Sequence, residues 1–250
     1  MWSSSLDDLS WAEIQSITRA GKASSVFDIG DTKTTQCLNL TGGQINAQGV
    51  YSSPGTTNLQ NTEFTLVAID VDKPTASNLT HSLTFFAKSL PLYYRGTSSD
   101  YNWNVCGARK YLNDNYQEIL PEAYPYITEV SIIALGLDSN SYNDATQSVY
   151  TSKDKLFVPS AKNVGWYDEF GADDDEGDQN AYPYFTSSTQ RQLGSKYALR
   201  TKSKTISDSL GRAAVWAEVL TSGTIYSGWN SNMNCGNTSD YKRPLCFCIG

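Results

Sequence analysis

"KRPLCFCI" (Lys242 to Ile249) alternates Leu245, Phe247 and Ile249 with Cys246 and Cys248. Successive side chains on a strand point to opposite faces, so both faces of this one are apolar. A strand of that kind belongs inside a fold, covered on both sides. Directly before it, from Ser222 to Tyr241, runs "SGTIYSGWNSNMNCGNTSDY". Tyr and Trp supply large, rigid contacts at low entropy cost, and Ser, Gly and Asn add adaptable hydrogen bonding, the palette of antibody paratopes. Aromatic faces also stack on sugar rings while amides bond their hydroxyls. Asn and Gly equally suit an ordinary polar hairpin loop, and the aromatics tip the balance toward recognition. The ligand-binding candidates are Tyr226, Trp229, Asn230, Asn232, Asn234, Asn237, Asp240 and Tyr241.

Upstream, further elements are readable. In "SWAEIQSITRAG", Ser10 and Glu13 have capping-box spacing, and Trp11, Ile14 and Ile17 recur at helical intervals before Gly21. This predicts a short helix from about Trp11 to Ala20. "TEFTLVAIDVD" (Thr62 to Asp72) reads as a strand with Phe64, Leu66, Ala68 and Asp70 on one face, and "HSLTFFAKSL" as another. Between Asn104 and Leu120, Ala108, Tyr111, Leu112, Tyr116 and Ile119 fall near helical spacing, limited by Pro121. "TEVSIIALGL", "KLFVPS" and "AAVWAEVL" add strands. The 250 residues fit one α+β domain with two main helices, short mixed or antiparallel sheets and long loops.

The net charge of −7, with no basic block or Arg-aromatic stripe, argues against nucleic acid, because phosphate binding needs Lys and Arg to replace counterions. No apolar run approaches the roughly 18–20 residues that span a bilayer, so no membrane insertion is expected. "MWSSSLDDLSWAEIQ" lacks a basic segment followed by an apolar stretch and does not read as a secretory signal.

Five cysteines at unrelated spacings (Cys37, Cys106, Cys235, Cys246 and Cys248) read as small buried hydrophobes. A zinc site wants paired Cys and His ligands, and His81 is the one histidine in the sequence. His81 has no nucleophile motif near it and reads as a structural or surface residue. Neither a Walker loop nor G-x-G-x-x-G opens a helix, so no cofactor is expected. The acidic, Gly-rich run holding Asp173, Asp174, Asp175, Glu176 and Asp178 offers hard oxygens for calcium. Its spacing does not fit the EF-hand, and a solvated loop is the simpler reading.

The segments "SWAEIQSITRAGKASSVFDIGDTK" (Ser10 to Lys33), "YLNDNYQEILPEAY", "DKLFVPSAKNVG", "AYPYF" (Ala181 to Phe185) and "KRPLCFCI" occur in this order. With them the chain resembles a domain-of-unknown-function family of Gram-positive gut bacteria and their phages. It departs from that family near "VWAEVL", where members more often carry paired tryptophans and Arg-Ser-Pro. The family's ending is similar to that of C-type-lectin-like variable proteins, whose variable surface residues lie just before a buried terminal strand. The resemblance implies a C-type-lectin-like domain over 34–250, preceded by a helix and lead-in segment over 1–33 available for virion attachment. It implies a non-enzymatic, virion-associated phage protein for host attachment, binding a host cell-surface glycan or protein. Its other expected partners are virion proteins, with further copies of the chain an open alternative. A structural capsid or tail decoration protein and a glycan-degrading enzyme are the rival readings.

Overall fold

A computed structural model describes residues 5–52, 55–95, 102–138, 146–165, 181–204, 214–226 and 240–250. The helices are α1 (Trp11–Arg19), α2 (Ala23–Val26), α3 (Gly107–Asp114) and α4 (Tyr116–Ile119) among those residues. The strands are β1 (Thr32–Ile45), β2 (Tyr51–Ser52), β3 (Thr56–Ile69), β4 (Leu83–Ala87), β5 (Leu92–Arg95), β6 (Ile127–Thr128) and β7 (Val130–Leu137). They continue with β8 (Gln147–Asp154), β9 (Leu156–Phe157), β10 (Tyr197–Lys204), β11 (Ala214–Val219), β12 (Ile225–Tyr226), β13 (Asp240–Arg243) and β14 (Cys246–Ile249). The fold is mixed α+β and rich in sheet.

The main sheet has nine strands in the order β13-β5-β1-β3-β4-β14-β6, with β2 beside β1 and β9 beside β14. Its pairs are antiparallel except β1 with β5. A second sheet pairs β10, β11 and β12, and a third pairs β7 with β8.

Local chemistry starts α1 where the sequence predicts it. Ser10 Oγ accepts from the Glu13 amide at 3.3 Å, and Glu13 Oε2 accepts from the Ser10 amide at 2.8 Å. These bonds satisfy two otherwise orphaned donors. The Ser10 hydroxyl, donating to Glu13 Oε2 at 2.7 Å, and then the Ser10 amide hold the Glu13 carboxyl below its ordinary pKa. Trp11, Ile14 and Thr18 turn inward, and Gly21 follows the helix at φ +67°. The positive φ favours glycine there, and a Cβ on Gly21 would lie 2.9 Å from His81 Nε2 and displace that ring. The helical pattern after Asn104 breaks into α3 and α4. The break falls at Asn115, whose Nδ2 donates to Tyr111 O at 2.8 Å while its own carbonyl accepts from Ile119 N. That bond ends one helix and starts the next.

The C-terminal strand sits inside the main sheet. Cys246–Phe247 pairs with β9 and Cys248–Ile249 with β6 on one edge, while all four residues pair with β4 on the other. One face is covered by α1, with Trp11 edge-on to both Phe85 and Phe247 at 5.3 and 5.6 Å. The segment 181–185 supplies contacts to Phe86 through Phe185 and to Asp72 through Tyr182. Leu245 to Ile249 are consequently 0% exposed. The same two-sided cover explains why β3 does not alternate as its sequence suggested: Phe64 to Ala68 are all buried. β3 stops at Ile69, and Asp70 leaves it at φ +59°. Leu6, Trp11, Ile14 and Phe27, from the N-terminal 33 residues, belong to the one hydrophobic cluster shared with β14.

Candidate recognition surface and its anchor

The polar-aromatic stretch from Ile225 to Tyr241 leaves one sheet and returns to another. It departs from β12, where Ile225 pairs with Val219 and Tyr226 with Glu218. It returns in β13, where Asp240, Tyr241, Lys242 and Arg243 pair with Arg95, Tyr94, Tyr93 and Leu92 of β5. Tyr226, Asp240 and Tyr241 are therefore held in strand ladders by their backbones. Trp229, Asn230, Asn232, Asn234 and Asn237 lie outside the described residues, as do the calcium candidates Asp173, Asp174, Asp175, Glu176 and Asp178.

Each end of the stretch is fastened. Before β12, Leu220 and Thr224 close a tight turn in which Gly223 takes φ +80°. A Cβ there would fall 1.8 Å from Ser188 O, so only glycine lets the turn sit against that backbone. Arg191 Nε donates to Gly223 O at 2.8 Å and Gln192 Nε2 to Ser222 O at 2.9 Å, tying the turn to the segment before β10. At the end of β13, the guanidinium of Arg243 lies over the Trp216 ring at 4.6 Å and the Tyr94 ring at 5.7 Å. Arg243 is 1% exposed, so its planar cation joins β11 of the small sheet to β5 and β13 of the large one. Lys242 remains exposed; its Nζ donates to Ser195 Oγ at 3.1 Å and lies 5.7 Å from the Tyr93 ring.

Behind this anchor lies a buried polar cluster that the sequence reading missed. Asp72 Oδ2 accepts from Thr84 Oγ1 at 2.6 Å and from Tyr182 OH at 2.9 Å, with Cys248 Sγ at 3.8 Å. Ser82 Oγ donates to Asp72 O at 2.5 Å. Burial raises the Asp72 carboxyl above its ordinary pKa, with the Thr84 and Tyr182 bonds and the charge of Arg200 opposing. Burial likewise raises the Tyr182 phenol, and the Asp72 charge adds to it. Arg200 itself is 0% exposed; its Nη1 donates to Val158 O at 2.7 Å, and its plane lies 5.7 Å from the Phe157 ring. The one available signal was the second acidic residue of "AIDVD", which on sequence alone reads as the end of the strand beginning at Thr62.

Cys37, Cys106, Cys246 and Cys248 are buried and form no disulfide. Burial pushes the Cys37 thiol up to about 12 and raises those of Cys246 and Cys248 well above their ordinary range. Thiols held in that form are poor nucleophiles and poor metal ligands. His81 pairs through Nδ1 with Asp70 Oδ2 at 3.0 Å, and Asp70 Oδ1 accepts from the Ser82 amide at 2.9 Å. His81 lines a surface cleft with Arg19, Asn78 and Thr80. Among the described residues, no group of three His, Cys, Asp or Glu could hold a metal ion, and no helix is long and apolar enough to cross a membrane. No family model, curated protein or solved structure matches the chain.

Proposed function

We propose that the chain is a phage virion-associated protein whose C-type-lectin-like domain binds a host-surface glycan or protein without catalysing a reaction. The observation that carries this reading is the fastening of the two segments that flank residues 227–239. These residues run from β12, held by the Gly223 turn, to β13, held by β5 and the Arg243 stack. Next comes a strand with no exposed residue. A recognition segment gains affinity when its base is rigid, because less freedom is lost on binding. In this reading Trp229 and the tyrosines stack on the ligand while Asn230, Asn232, Asn234 and Asn237 orient it. Residues 1–33 serve particle attachment, for which Ala12, Glu13, Ser16 and Arg19 of α1 remain exposed.

The test is adsorption of particles carrying Tyr226→Ala with Trp229→Ala. Adsorption to host cells should fall at least tenfold while the circular dichroism spectrum and the unfolding midpoint of the purified chain stay unchanged. Full adsorption by the double variant would remove the segment from the mechanism. Particles that lose integrity but adsorb normally per intact particle would favour the decoration protein.

A further inference from the structure

The β1–β3 hairpin treats its two outer edges differently. Along β1, outward backbone amides are taken by carboxylates: Asp7 Oδ1 accepts from Thr34 N at 2.6 Å, and Glu122 Oε2 from Gln36 N at 3.2 Å. Along β3, the cover given by β4 begins at Phe64. Just before it, Lys88 N donates to Glu63 O, whereas Leu66 directs its N–H and C=O to Asp31 and Gly30 on the opposite side. Backbone groups alternate in direction along a strand, so Thr57, Leu59 and Asn61 turn theirs away from β1. Thr56 to Asn61 are exposed throughout, and among the described residues none pairs with this edge.

Open edges are normally blunted by charge, proline or a bulge. "TTNLQN" (Thr56 to Asn61) contains no charged residue and no proline, and its pairing with β1 runs without a register shift. We propose that this edge pairs antiparallel with the same edge of a second copy of the chain, giving a two-fold dimer.

Two features select a second copy as the occupant. The chain carries a net charge of −7, so like molecules repel, yet this stretch brings no like charges together across a shared ladder. The outward residues also form a self-complementary set, as a two-fold interface requires. With Leu59 opposite Leu59 of the partner subunit, Thr57 faces Asn61 of the partner subunit and Asn61 faces the partner's Thr57. Each is a hydrogen-bonded pair, so the ladder gains about six inter-strand bonds. Leu59, 49% exposed in the single chain, gains its own counterpart as cover.

Analytical ultracentrifugation of the full chain tests this. The unsubstituted protein should sediment as a dimer at micromolar concentration. Leu59→Lys, which sets like charges opposite one another, and Thr57→Pro, which removes an outward N–H, should each shift it to monomer with unchanged circular dichroism. Register is tested by mild oxidation. Leu59→Cys should cross-link beyond the background of the unsubstituted chain. Thr57→Cys should not, because the two copies of residue 57 lie four residues out of register, about 13 Å apart. The proposal is overturned by a chain that stays monomeric, whether or not it takes up a foreign peptide at this edge. Assembly untouched by both substitutions, or cross-linking at both cysteine positions or at neither, overturns it equally.

Discussion

Phe247 and Phe85 face each other across the β14–β4 ladder with ring centroids 5.4 Å apart and planes inclined by 17°. Phe64 and Trp11 meet Phe247 edge-on at 5.2 and 5.6 Å, so one ring binds β3, β4, β14 and α1 together. Truncation of a buried phenylalanine loses its transfer free energy and leaves a cavity. Phe247→Ala should lower stability by about 3–5 kcal/mol. The check is the urea midpoint at unchanged slope.

Asp72 should give the protein a pH dependence opposite to that of a salt-bridged carboxylate. Its folded pKa is raised, chiefly by burial, so the folded state keeps its proton where the unfolded chain has lost it. The stability linked to that proton is complete below the unfolded carboxyl range near ~3.9. It is lost as the pH rises from there through the folded pKa. Asp72→Asn, neutral throughout, should lack this decline. Unfolding midpoints measured from acid to neutral pH should therefore show the wild type losing ground to the variant as pH increases; parallel curves would contradict the assignment.

Arg243 works as a planar cation between Trp216 and Tyr94, a geometry that an ammonium group does not reproduce. Arg243→Lys keeps the charge and loses the stack. It should cost about 2 kcal/mol of stability, the magnitude of a desolvated cation–π contact. Amide exchange in β13 and β5 should rise with it, and exchange in β7 and β8 should not.

The elements legible in the sequence were those whose neighbours impose a simple pattern. α1 announces itself through Ser10, Glu13 and Gly21. β14 announces itself because both of its faces are covered, which forces an unbroken apolar run. β10 was not legible, since Arg200 interrupts its apolar residues. That cation is tolerated because the carbonyls of Val158 and Ile133 accept its protons. β5 and β13 are short and rich in Tyr, Lys and Arg, and they become strands through pairing with one another and, for β5, with β1. The fastening of the segments that flank residues 227–239 could not be read for the same reason. It depends on Gly223 meeting Ser188 and on Arg243 meeting Trp216, contacts between distant parts of the chain.

The central place of β14 has a consequence for biosynthesis. Thr84 and Cys248 touch across 164 residues of chain, and β4, β6 and β9 all share β14 as a neighbour. Until residue 249 has cleared the ribosome, those three strands hold unpaired edges and an uncovered aromatic cluster. Such topology folds slowly and exposes the nascent polypeptide to chaperones. A product cut short by even a few codons before Cys246 would be a substrate for proteases rather than a weakened version of the protein.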